Sequence, residues 1–249
     1  MTHDPPPRGG HPLCADCRHT DLLAAARCIP GDRCVRANSG RQIDRFLRQN
    51  PEYAAAYLGD GFWERRAIAV RYAPLEAVRA LHSDRDEVVR RGVASRLPPP
   101  ELKTMSRDPD REVRIAVAQR IAAELLPGMA GDVDYMVRVA VARRLSHGKL
   151  PRLALDPERE VRKTVAQRLP AFAVARLIND PEPEVRRIVA ERALPGDAVL
   201  LLEDSDWVVR LNAVQRVPRA AARLLLDDPE PDVRQAAWQR LAESDTETS

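Results

Sequence analysis

Lysine is nearly missing from this 249-residue chain: Lys103, Lys149 and Lys163 are the only three among 40 basic residues, and the other 37 are arginine. Arginine excess is one mark of nucleic-acid binding. Here 37 acidic residues bring the net charge to +3, and the same bias shows in Ala and Pro, so GC-rich coding accounts for it. Long apolar runs are also absent. No stretch approaches the ~18 to 20 uninterrupted apolar residues of a membrane-spanning helix, and Met1 to Arg8 lacks the basic-then-apolar plan of a signal peptide. The expected location is the cytoplasm. Catalytic signatures are missing too. There is no P-loop, G-x-G-x-x-G, G-x-S-x-G or H-E-x-x-H, and His3, His11, His19, His82 and His147 are scattered. No enzymatic activity is expected. Cysteine is absent after position 34: Cys14, Cys17, Cys28 and Cys34 are all there are.

What the chain does have is a period. Asp60, Asp84, Asp108, Asp132, Asp156, Asp180, Asp204 and Asp228 recur every 24 residues. An arginine follows six residues after each from Asp84 on, and in the first unit Arg65 is read as its counterpart after five. The clearest copies are D-P-D-R-E-V-R-I-A-V-A-Q-R-I from Asp108 and D-P-E-R-E-V-R-K-T-V-A-Q-R-L from Asp156. A period between 20 and 50 residues marks a solenoid, whose units bury their apolar faces only against neighbours.

Advancing 100° per residue from Val161 places Val165, Leu169 and Ala166 on one apolar stripe, the signature of a helix. Asp156 suits the N-cap, Pro157 the first helical position, and Glu158 and Glu160 the positive end of the helix dipole. Each helix is expected to run about 11 to 13 residues from just after the aspartate to the Arg-Leu pair. The remainder of the unit, such as Pro170 to Asn179, has room for a short α or 3₁₀ turn. Arg162 falls inside the stripe. A buried guanidinium needs carboxylate or carbonyl partners, so an Asp–Arg ladder between adjacent units is expected. It pairs Asp84, Asp108, Asp132, Asp156, Asp180, Asp204 and Asp228 with Arg90, Arg114, Arg138, Arg162, Arg186, Arg210 and Arg234. A second column, Arg96, Arg120, Arg144, Arg168, Arg192, Arg216 and Arg240, lies at the edge of the stripe, where helix carbonyls or a ligand phosphate are both in reach. Lys163, Thr164 and Gln167 are read as the outward face.

The cysteines are spaced C-x2-C-x10-C-x5-C within 21 residues. In a reducing compartment such a cluster is a metal site rather than a disulfide framework. C-x2-C presents two thiolates to one centre and a returning loop completes four, with Pro30 and Gly31 making the turn to Cys34. The set suits tetrahedral zinc or a cubane with one thiolate per iron, and the spacing does not choose between them. It matches neither the C-x2-C-x2-C run of bacterial ferredoxins nor a zinc ribbon with two C-x2-C knuckles. His11 and His19 flank the first pair and would be candidate ligands in a three-cysteine variant of the site; with four thiolates available they are read as outer-shell or solvent-facing groups. Little core is available to the first 40 residues, with Pro5 to Pro7 and Gly9-Gly10, so metal would supply much of their folding energy.

The 24-residue helical unit, its D-P-x-x-x-V-R-x-x-V-A-x-R-L wording and the cysteine segment ahead of it resemble the leucine-rich repeat variant (LRV) family. The resemblance covers nearly the whole chain. It implies an all-α solenoid of alternating α and short 3₁₀ helices wound as a right-handed superhelix, and a [4Fe-4S] cluster on Cys14, Cys17, Cys28 and Cys34. The first unit departs from the pattern with Gly61, Phe62 and Trp63, and the last with Trp238; both are read as end adaptations. The expected organisation is a cluster domain over 1–40, a helical connector or cap over 41–59, eight repeats over 60–242 and an acidic tail over 243–249.

Three functional readings follow. The first is an iron–sulfur protein whose solenoid docks a protein partner while the cluster passes electrons or reports redox or iron status. The second is a helical-repeat nucleic-acid binder, which steep salt dependence would reveal. In the third, zinc merely stabilises an interaction scaffold.

Overall fold

The computed structural model describes residues 11–243. Expectations for Pro5 to Pro7, Gly9-Gly10 and the acidic tail after Glu243 lie outside the described residues. The chain divides into two compact units, Met1–Ala122 and Ala123–Ser249. Among the described residues there is no strand, only an isolated antiparallel bridge between Ile29 and Arg33.

The first unit holds the cysteine segment, a connector helix α1 (Gly40–Gln49), and the repeat helices α2 (Trp63–Tyr72), α3 (Glu87–Arg96) and α4 (Arg111–Ala118). The second holds α5 (Tyr135–Ala142), α6 (Arg159–Arg168), α7 (Pro183–Arg192), α8 (Trp207–Val214) and α9 (Pro231–Ala242). Short α or 3₁₀ turns alternate with them, as at Ala171–Val174 followed by Ala175–Leu177. Within each unit consecutive repeat helices pack side by side. The fold is all-α, and its repeats alternate helix with shorter helical turn.

The apolar columns explain why. Val161, Val165, Ala166 and Leu169 are fully buried. So are their counterparts Val185, Val189, Ala190 and Ala193 one repeat later. Each valine so buried contributes on the order of 1.5 kcal/mol or more. The layer of short turns adds Leu150, Val174, Leu177 and Leu201 to the core. Helix α6 stops at Arg168 because Leu169 is extended (φ −60, ψ 142) ahead of Pro170, and a residue before proline is pushed out of the helical region.

The structure corrects the expected helix start. Helix α6 begins at Arg159, with Glu158 at its cap, two residues later than the sequence reading placed it. The column aspartate is occupied otherwise. Asp156 Oδ1 accepts the Glu158 N–H at 2.9 Å, and both carboxylate oxygens accept from Arg138 of the preceding repeat. The N-cap belongs to the position two residues on. Asp86, Asp110, Asp134 and Asp206 cap with their side chains, whereas Glu158, Glu182 and Glu230 make no such bond. The helices of the first seven repeats are therefore eight or ten residues long, and α9 has twelve.

The ladder forms, and it has a direction. Within each unit the ladder arginine grips the aspartate of the following repeat, where the unit has one, with Nε and Nη2, and its Nη1 reaches the backbone carbonyl of its own. In the first unit Arg90 holds Asp108 at 2.8 and 2.9 Å and donates to Asp84 O at 2.8 Å. In the second, Arg138, Arg162, Arg186 and Arg210 hold Asp156, Asp180, Asp204 and Asp228 in the same way. The first repeat also supplies a ladder arginine, Arg66, which the sequence reading missed in favour of Arg65. Arg66 holds Asp84 at 2.9 and 2.8 Å, and Arg65 turns back to Asp60 at 2.8 and 2.9 Å.

In the second arginine column, Arg96, Arg120, Arg168, Arg192 and Arg240 close helix ends, while Arg216 is exposed. Arg96 donates to Val70 O and Ala73 O, Arg168 to Ala142 O and Leu145 O (both 2.7 Å), and Arg192 to Leu169 O at 2.8 Å. Each guanidinium thus satisfies carbonyls orphaned at the C-terminus of the preceding repeat helix and meets the negative end of its dipole. Of the three residues expected to face outward, Gln167 is exposed and Lys163 half-exposed, but Thr164 is buried, its Oγ1 donating to Glu160 O at 2.8 Å.

Candidate metal centre

The cysteine segment is a succession of tight turns. Cys14 ends a short 3₁₀ turn (Pro12–Cys14), and the Cys17 N–H returns to Cys14 O at 3.2 Å. Asp16 between them has φ +56, an αL position that aspartate tolerates better than most residues. A helical turn, Thr20–Ala24, then leads to Cys28, whose N–H donates to Leu22 O at 3.2 Å. The Ile29–Arg33 bridge closes around Gly31 at φ +85, so Pro30 and Gly31 make the expected turn back to Cys34.

All four cysteines are free thiols; Cys28 and Cys34 are buried, Cys14 and Cys17 half-exposed. Their electrostatics are mutual. A hydrogen bond to Cys34 and burial push the Cys28 thiol far up, with contributions from Cys34, Cys17 and Cys14. The Cys34 sulfur, accepting from Cys28 and from the Arg36 and Ala37 N–H groups, is drawn down to about 6. Burial, then Cys34 and Cys17, raise Cys14. Among the described residues, no three His, Cys, Asp or Glu side chains are set to hold a single metal ion as placed. The donor chemistry nevertheless fits a thiolate-ligated centre: four sulfurs, none in a disulfide, share one electrostatic environment, and one of them is already supported as an anion by two backbone N–H groups.

The two flanking histidines differ in setting. The His11 Nδ1 accepts the Leu13 N–H at 3.2 Å, and the residue is exposed. His19, expected at the surface or in the outer shell, is 3 % exposed and shares a 2.6 Å hydrogen bond with the Tyr57 hydroxyl. Its ring packs on Phe46 and edge-on to Tyr53. Burial, followed by the charge of Arg18, lowers its pKa. Burial also raises the Tyr57 hydroxyl to about 12, so the pair is neutral. Next to it, the fully buried Asn50 donates to Arg27 O at 3.0 Å and Phe46 O at 2.8 Å. His19, Tyr57 and Asn50 fasten the thiol segment to the connector. Periodicity and spacing gave no signal for them, because each is a single residue outside the repeat.

Connector and array are joined by Asp44, which accepts from the Tyr72 hydroxyl at 2.8 Å, Arg71 at 3.2 Å and Arg48 at 2.6 Å. A methyl group at Gly40, at the start of α1, would meet the carboxylate end of the Glu64 side chain on α2, which is free to swing aside.

Fold and site together define a helical-repeat protein with an N-terminal thiolate module. Comparison with known proteins narrows this. A family model described as "LRV protein FeS4 cluster" matches residues 8–56, spanning all four cysteines, and one described as "Leucine rich repeat variant" matches 88–110 and 159–182. A solved structure, described as a leucine-rich repeat variant with a novel repetitive protein structural motif, is 53 % identical, covers 91 % of this chain and 97 % of its own, and superposes with a TM-score of 0.87. An uncharacterised 27.7 kDa protein in the nifB 3′ region of Rhodobacter capsulatus is 40 % identical over 100 residues, 37 % of this chain. The chain matches 41 % of that relative's length. This chain belongs to the leucine-rich repeat variant family, and its N-terminal segment is that of the iron–sulfur members.

Proposed function

We propose that the protein is a non-catalytic iron–sulfur interaction protein of the cytoplasm. In this reading Cys14, Cys17, Cys28 and Cys34 hold one [4Fe-4S] cluster, and the repeat array offers a docking surface to a protein partner. The observation that carries it is the thiol module itself: four free sulfurs in mutual electrostatic contact, inside the segment matched by the iron–sulfur family model. A four-thiolate cubane supplies one-electron redox chemistry at a potential tuned by burial and by N–H groups on the sulfurs. With Cys28 and Cys34 buried and Cys14 and Cys17 half-exposed, the solvent-facing edge carries Cys14 and Cys17, the side from which electrons would enter or leave.

The arginine geometry favours a protein partner over a nucleic acid. Guanidiniums that would track a phosphate backbone are engaged inside the array, on aspartates in the ladder and on carbonyls in the second column. No described helix is long and apolar enough to cross a membrane.

The test is chemical analysis of protein purified without air. Iron and acid-labile sulfide in equal amounts, with an electron paramagnetic resonance signal that changes on reduction, are the expected result, and serine at any of the four cysteines should lower both. Stoichiometric zinc with no sulfide would refute the iron–sulfur assignment and leave a zinc-stabilised scaffold.

A further inference from the structure

Helix α9 presents a face that no described residue covers. Ten residues after each column aspartate, the earlier repeats carry a small apolar side chain wedged between successive helices. Val70 and Ala94 in the first unit, and Ala142, Ala166, Ala190 and Val214 in the second, are 0 % exposed. The eighth repeat has Trp238 there, 61 % exposed. Leu241, in register with the fully buried Leu169, is only half-buried.

Arg234 shows the same vacancy. Its Nη1 donates to Asp228 O and Pro229 O, as the ladder requires. Among the described residues no carboxylate meets its Nε and Nη2, the pair of donors that grips an aspartate from Arg138, Arg162, Arg186 and Arg210. The first repeat closes its own vacancy, since Arg65 binds Asp60 in place of a preceding arginine. An unpaired fork beside an exposed tryptophan is therefore specific to α9. Another repeat stacked in register is not what fits here, because helices packed about 8 to 10 Å apart leave room for alanine or valine at this position and not for an indole.

We propose that this face is a self-association surface, through which two copies of the chain pair by antiparallel packing of α9 with Trp238 at the centre. The charges set this register. Position 234 lies four residues before the centre and position 242 four after it, so the antiparallel arrangement brings Arg234 to the C-terminal end of the partner helix. There it meets the last-turn carbonyls, the negative end of the dipole, and the carboxylate of the partner's Glu243. Among the described residues Glu243 pairs with Arg240 at the surface, an exposed pair that costs little to exchange. Two-fold symmetry satisfies both forks at once and buries both indoles, and tryptophan and arginine are the side chains that most often anchor interfaces.

Sedimentation equilibrium of the full-length, cluster-loaded protein over a wide concentration range tests this. The wild type should show a monomer–dimer equilibrium, with hydrogen-exchange protection of α9 rising with concentration. Trp238→Ala, at a side chain that is 61 % exposed, should weaken the dimer at least tenfold. Arg234→Glu and Glu243→Arg should each weaken it, and the double exchange should restore it. A wild type that stays monomeric, a dimer indifferent to Trp238→Ala, or a double exchange that fails to restore pairing while retaining wild-type circular dichroism would overturn the proposal. Should Arg234→Glu disturb α9 itself, the wild-type and Trp238→Ala measurements still decide.

Discussion

Arg162 joins two repeats with a single side chain: Nε and Nη2 reach the Asp180 carboxylate at 2.7 and 3.0 Å, and Nη1 reaches the Asp156 carbonyl at 2.8 Å. Both ends of the pair are buried. Truncating one partner strands the other charge, so Arg162→Ala should cost about 3 to 5 kcal/mol. Replacing both with apolar residues of similar volume should cost much less. Urea unfolding followed by circular dichroism, with hydrogen exchange on α6 and α7, measures both; equal losses in the single and double variants would contradict the ladder's role.

Acid should unfasten the same ladder. Burial, the largest single influence, would raise the pKa of Asp84 and Asp204, but the hydrogen bonds and charge of Arg66 and Arg186, together with the Asp86 and Asp206 N–H groups, outweigh it and hold both below the ordinary carboxylate value. Asp228 is held down chiefly by Arg210. A folded-state pKa below the unfolded one contributes stability that is complete above about pH 4 to 5. That contribution is lost as pH falls through the folded values. Urea midpoints should be level from neutrality to about pH 5 and fall steeply below about pH 4. A decline beginning near neutrality would show that other groups govern stability.

Tyr57→Phe should loosen the thiol module by about 1 to 3 kcal/mol, because the buried His19 Nε2 loses its hydrogen bond to the Tyr57 hydroxyl. Gly31→Ala should act on the same module by about 1 to 2 kcal/mol, since φ +85 is costly for any side chain. Both variants are expected to retain iron less well on dialysis against chelator while keeping the helical signal of the array. Unchanged retention would remove His19 and Gly31 from the support of the site.

Removing the cluster should unfold part of the chain rather than all of it. Among the described residues before the connector the buried apolar side chains besides cysteine are Leu22, Val35 and Ala37, whereas each repeat is buried against its neighbours. Hydrogen exchange of chelator-treated protein, or of Cys14→Ser, should show protection lost before α1 and retained in α5 to α9. Near-complete loss of helical circular dichroism would contradict this.

Most of the fold could be read from the 24-residue column because a solenoid repeats its physics: an apolar stripe and a ladder guanidinium in every unit, and a proline stop in four of the eight, at Pro74, Pro98, Pro170 and Pro218. Misreadings arose where two arrangements share a spelling. Asp-Pro ahead of a helix spells an N-cap, yet at Asp156 the carboxylate answers an arginine from the previous repeat and capping falls two residues later. Adjacent Arg65 and Arg66 offered two candidates for one place, and only the direction of the ladder decides between them. The module around the cysteines was legible in its ligand-type residues and its glycine turn. Its support was not, because the contact of His19 with Tyr57 spans 38 residues of sequence with no period to announce it.

The double grip of each ladder arginine also constrains how such a gene can change length. A deletion of one residue between Arg138 and Asp156 breaks a bond whose two ends are fixed to successive repeats. A deletion of 24 residues, such as 145–168, instead delivers Asp180 to the place Asp156 occupied, and Arg138 closes on it with no new side chain required. The guanidinium works as a reading frame written in protein: lineages can gain or lose whole repeats, while changes of a few residues are confined to the chain outside the array.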